Sequence, residues 1–71
     1  MYKDAIMDEL RQIELAVVEG ERRLAEQEAL LIELRRMNQE TTKALAEFEV
    51  MRRNQLEREQ NRQRLLRLLN P

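Results

Sequence analysis

From Ile6 onward the apolar side chains recur at alternating spacings of four and three: Ile6, Leu10, Ile13 and Val17, then Leu24, Leu31, Leu34, Leu45 and Phe48. Residues spaced in this way share one face of a helix, and a sustained repeat of this kind is a heptad seam. With Leu10 at position a, the a positions are Leu10, Val17, Leu24, Leu31, Asn38 and Leu45, and the d positions are Ile6, Ile13, Gly20, Gln27, Leu34, Thr41 and Phe48. Val18, Leu30, Ile32 and Met37 add apolar side chains beyond a strict two-position seam, which suits a helix with more than one neighbour.

The seam is interrupted at Met37–Thr42, where Met-Asn-Gln-Glu-Thr-Thr gathers weak helix formers between two stretches rich in Leu and Glu. Asn38 suits the left-handed conformation that ends a helix, Arg35 and Arg36 stand where cations favour a helix C-terminus, and Thr41 or Thr42 is suited to capping the second helix. The expected fold is all-α. One helical domain covers 1–71, with a first helix over about 3–37, a turn over about 38–41 and a second helix over about 42–69. These form an antiparallel hairpin that pairs with a second copy in a four-helix bundle. The alternative is a single long coiled-coil helix with Asn38 as a buried residue that sets register.

Leu65, Leu66, Leu68 and Leu69 complete the pattern as an apolar cluster expected to close against Ile6, Leu10 and Ile13, and Asn70 with Pro71 ends the second helix. The expected core and association residues are therefore Ile6, Leu10, Ile13, Val17, Leu24, Leu31, Leu34, Leu45, Phe48, Leu65, Leu66 and Leu69, with Asn38 and Thr41 in the turn. Arg52–Arg64 holds a single aliphatic residue, Leu56, so burial there rests on arginine stems lying over apolar surface. Gly20, in mid-helix, costs about 1 kcal/mol relative to alanine unless a close helix approach compensates for it.

Charge adds orientation. Nine acidic side chains against three arginines lie between Asp4 and Glu33, whereas six arginines against Glu57 and Glu59 lie between Arg52 and Arg67. Folding about Asn38 and Gln39 would set acid against base, with Gln27 near Arg52 and Val17 near Arg62, and would penalise parallel self-pairing.

A resemblance rests on three runs. Glu19-Gly20-Glu21-Arg22-Arg23-Leu24-Ala25-Glu26-Gln27-Glu28-Ala29, then Asn38-Gln39-Glu40-Thr41-Thr42, then Arg62-Gln63-Arg64-Leu65-Leu66, are together similar to short helical proteins of rhizobia and related alphaproteobacteria. In those proteins a linker of Gly-His-Asp-Thr type separates two helical halves, so the resemblance implies a hairpin turn at Asn38, Gln39, Glu40 and Thr41. Asparagine stands here for the linker glycine and glutamate for the aspartate. The resemblance implies no activity.

Composition excludes most chemistry. The chain has 71 residues with 38% charged and 3% aromatic, no Cys and no His. It also lacks Ser, so Thr41 and Thr42 are its only aliphatic hydroxyls. Nucleophilic and general acid–base catalysis lack their usual groups, and zinc would have only carboxylates. No enzyme activity, cofactor or metal is expected, and the heptad-spaced glutamates Glu14, Glu21, Glu28 and Glu19, Glu26, Glu33 read as solvated helix faces. No run is long enough to span a bilayer, so a cytoplasmic protein without membrane contact is expected. The expected function is a non-catalytic interaction or scaffold module acting through self-associating helices, as a homodimer or with a further protein. The alternative is a small dimeric RNA-binding regulator using Arg58, Arg62 and Arg64, but the net charge of −1 and a basic segment without aromatics count against nucleic acid.

Overall fold

The computed structural model describes residues 2–70 as two helices, α1 (Tyr2–Arg36) and α2 (Thr42–Leu69), folded against each other. The particle measures 55 × 14 × 14 Å, about half the length of the rod that one continuous helix would make at 1.5 Å per residue. The chain is thus an antiparallel hairpin. Pro71, expected to stop the second helix, lies outside the described residues; Asn70 closes α2 with its backbone N–H on the Leu66 carbonyl at 3.1 Å.

The reversal is made by backbone hydrogen bonds. Asn38 has φ of 57°, the left-handed region in which asparagine is the best tolerated residue after glycine. Its N–H bonds the Arg35 carbonyl at 3.1 Å, and the Gln39 N–H bonds the Leu34 carbonyl at 2.8 Å. That pair of bonds is a Schellman motif, which satisfies carbonyls that the end of α1 would leave open. At the start of α2, Thr41 occupies the N-cap position, but its side chain makes no capping hydrogen bond. Neither threonine caps α2. The Glu40 carboxylate does so instead, accepting the Thr42 N–H at 2.9 Å and the Thr42 hydroxyl, and these bonds hold the Glu40 carboxyl below its ordinary value. A longer side chain one position earlier thus satisfies the N1 donor of α2, in place of the N2 or N3 donor that an N-cap threonine would take.

Along α1 the buried and half-buried side chains are Ile6, Leu10, Ile13, Val17, Gly20, Leu24, Gln27, Leu31 and Leu34, joined at the margin by Ala16 and Glu19. Along α2 the inward positions are Thr41, Ala44, Phe48, Met51, Gln55, Arg58, Arg62, Leu65 and Leu69, again three and four apart. Leu45 is a correction: it is 39% exposed, and Ala44, at 8%, takes its place in the seam. The d row of α1 continues through Thr41, Phe48, Gln55, Arg62 and Leu69, but beyond the non-helical residues 37–41 α2 is rotated so that 44, 51, 58 and 65 complete the seam in place of 45, 52, 59 and 66. Leu65, at 1% exposed, anchors the open end with Ile6, while Leu68 turns outward.

Candidate helical docking face

Two glutamines tie the helices together where the seam is polar. Gln27 of α1 donates its side-chain amide to the Ala44 carbonyl of α2 at 2.9 Å, with the Glu47 carboxylate at 3.4 Å. In the other direction Gln55 of α2 donates to the Val17 carbonyl of α1 at 2.8 Å, and its own oxygen accepts from the Arg58 guanidinium at 3.1 Å. Both glutamines are almost wholly buried, at 9% and 5% exposed, and both are satisfied, so the polar layers are tolerated. Gly20 makes the second contact possible. A Cβ at that position would stand 2.8 Å from Gln55 Cδ and 2.9 Å from Arg58 Nη1, so the space an alanine methyl would fill is taken by the amide.

The expected pairing of acid with base across the hairpin is not found. Among the described residues each ion pair joins side chains three or four apart on one helix: Asp8 with Arg11, Glu19 with Arg22 and Arg23, Glu26 with Arg22, Glu33 with Arg36, and Glu49 with Arg52. A long side chain meets a partner one turn away with less ordering than one on another helix. Gln27 sits against Ala44 and Glu47, not Arg52, whereas Val17 and Arg62 line one shallow surface hollow with Glu21 and Glu59. Arg52 instead reaches back over the Phe48 ring at 6.0 Å from its centroid.

The three arginines of the nucleic-acid alternative do not form one surface. Arg58 and Arg62 are half-buried seam residues, Arg58 being bound to Gln55, whereas Arg64 points outward and bonds the Asn61 side chain at 3.0 Å. Of the other expected core residues, Ile6, Leu31 and Leu65 are buried, and Leu10, Ile13, Val17, Leu24, Leu34, Phe48, Leu66 and Leu69 are half-buried.

What the hairpin does not cover is a second stripe on α1. Leu15, Val18, Arg22, Ala25, Ala29 and Ile32 succeed each other at spacings of three and four, all exposed, and Leu15, Val18 and Ile32 are 68%, 65% and 57% accessible. At 100° per residue this stripe lies about 150° around α1 from the seam that meets α2. Val18 and Ile32 therefore do not widen the inner stripe; they belong to another one. Alanines at its centre admit a close helix approach, and the larger aliphatics toward its ends would give it area.

Neither helix is long and apolar enough to cross a membrane. Among the described residues no group of carboxylates is arranged to hold a metal ion. No protein-family model, curated protein or solved structure matches the chain.

Proposed function

We propose that this chain is a non-catalytic helical interaction module, in which α2 holds α1 rigid so that the outer face of α1 can receive a further helix. The observation that carries this reading is the stripe Leu15, Val18, Ala25, Ala29 and Ile32, exposed at the spacing of a coiled-coil seam. Isolated exposed apolar residues are ordinary, but a heptad-spaced row of them marks an association surface. Helix-in-groove and coiled-coil recognition use the same periodicity.

A lateral four-helix bundle has less support from these surfaces. Of the two flanks that a second hairpin could cover, one carries Glu14, Glu21 and Glu28 of α1 beside Arg52 and Glu59 of α2, and the other carries Arg23, Asn54 and Arg58 beside Met51, so either would bury charge.

The test places a photo-crosslinking side chain at Val18 in the native cell, with Gln63 on the outer face of α2 as the control. Adducts are expected from Val18, not from Gln63, and the pair Leu15→Gln and Ile32→Gln should remove them while leaving the circular dichroism unchanged. Equal labelling at both positions, or adducts indifferent to Leu15 and Ile32, would remove the support for this reading.

A further inference from the structure

The two edges of the outer stripe differ in charge. Along one edge the acids are neutralised in place, Glu19 by Arg22 and Arg23, Glu26 by Arg22, and Glu33 by Arg36. The Arg22 guanidinium and its neighbour Arg23 hold the Glu19 carboxyl below its ordinary value, so that edge carries fixed pairs. Along the other edge stand Glu14, Glu21 and Glu28, seven residues apart and exposed, and no ion pair among the described residues includes them. Arg22, the one cation in the stripe, is drawn toward Glu19 and Glu26 and away from this row.

We infer that the outer stripe of α1 docks an amphipathic helix of another protein, with an aliphatic seam and with lysines or arginines along the flank that meets Glu14, Glu21 and Glu28. The inference rests on the interaction-module reading and adds the chemistry of the partner. Charged flanking positions choose partners by sign in helix pairs, and three unpaired glutamates at heptad spacing specify a basic row.

A second copy fits less well in either orientation. Antiparallel pairing of two outer stripes with Arg22 opposite Ala25 sets Glu21 of one copy against Glu28 of the other and Glu19 against Glu26. Parallel pairing sets Glu14, Glu21 and Glu28 against Glu19, Glu26 and Glu33 of the other copy. In the antiparallel case Glu21 and Glu28 repel directly, and in the parallel case the row meets acids whose arginines are already engaged, so neither arrangement gives it a cation to pair with. Nor does α2 of a second copy supply the partner: its outward row reads Ala46, Glu49, Arg53, Leu56, Gln60 and Gln63, with no continuous apolar seam.

The experiment uses the full chain and two synthetic helical peptides of about four heptads, identical in a Leu and Ala seam, one with Lys and one with Glu at the flanking positions. Fluorescence anisotropy should show the Lys peptide binding at least about tenfold more tightly, equivalent to about 1.4 kcal/mol, with the preference shrinking as salt rises. Charge reversal by Glu14→Lys, Glu21→Lys and Glu28→Lys should transfer the preference to the Glu peptide, and Val18→Glu should abolish binding of both. If both peptides bind alike, or if the preference survives charge reversal, the basic-partner assignment is wrong while the module reading stands. A dimer seen by sedimentation and dissolved by Val18→Glu would give the face to a second copy and overturn the inference. If neither peptide binds and the chain sediments as a monomer, both readings fail together.

Discussion

Replacing Gly20 by alanine sets two effects of known size against each other. An alanine in mid-helix is favoured over glycine by about 1 kcal/mol. Here the methyl would enter space held by the Gln55 side chain, with Cδ 2.8 Å away, and would push the amide off the Val17 carbonyl. Losing that bond and leaving a buried amide without its partner costs about 1 to 3 kcal/mol. With about 2 kcal/mol as the midpoint of that range, Gly20→Ala should destabilise the hairpin by about 1 kcal/mol despite the gain in helix propensity. Once Gln55→Ala has emptied the space, the same substitution should stabilise by about 1 kcal/mol, so the two sites couple by about 2 kcal/mol in a double-mutant cycle. Urea unfolding followed by circular dichroism reads this directly: with a slope near 1 kcal/mol per molar, the midpoint should move by roughly 1 M, in opposite directions in the two backgrounds. Repeating the titration over a range of protein concentrations separates any contribution from association. A stabilisation of equal size in both backgrounds would refute the contact between Gly20 and Gln55.

The same packing sets three further outcomes. Leu65→Ala should cost about 2 to 5 kcal/mol because the side chain is buried to 1% exposure, whereas Leu45→Ala should change urea stability by less than about 0.5 kcal/mol. Asn38→Val should destabilise by about 1 kcal/mol or more, since a β-branched residue resists the positive φ, and Asn38→Gly should leave the unfolding midpoint unchanged or raised. Glu40 has its folded value depressed below the ordinary 4.5, so its contribution is complete above that pH and disappears as the pH falls through the lowered value. The protection factor of the Thr42 amide, taken relative to its intrinsic exchange rate, should therefore fall in acid, and Glu40→Gln should flatten that dependence.

The first seam was legible because aliphatic side chains mark it at nearly every turn, and the reversal was legible because asparagine among weak helix formers is a local signal. The second helix was harder to place. Its inward positions include Gln55, Arg58 and Arg62, and long polar side chains show no inward preference until a partner surface exists for them. Leu56, the one aliphatic residue in Arg52–Arg64, faces outward at 54% exposure, so the usual marker pointed to the wrong face. Gly20 was visible as an anomaly, but its explanation lay in a glutamine 35 positions away, a separation no local pattern registers. Charge balance between the halves pointed to acid–base bridges across the hairpin, but the bridges formed within each helix.

Of the two heptad rows on α1, the side chains decide which closes inward. The inner row runs from Ile6 to Leu34 and includes Ile6, Leu10, Ile13, Leu24, Leu31 and Leu34, while the outer row runs from Leu15 to Ile32 with two alanines and Arg22 at its centre. Burial scales with apolar area at about 25 cal/mol per Å², so the longer row of larger side chains is the stronger seam. A contact within it then discriminates between registers. Backbone carbonyls recur in every register, so the selective contact is that of Gln55 with Gly20: a shift of one heptad would set Gln55 against Ile13 or Gln27, whose side chains stand where glycine leaves space for the amide. The hairpin thus closes on the inner row by area and is held in register by the fit of Gln55 against Gly20, and the outer row remains exposed.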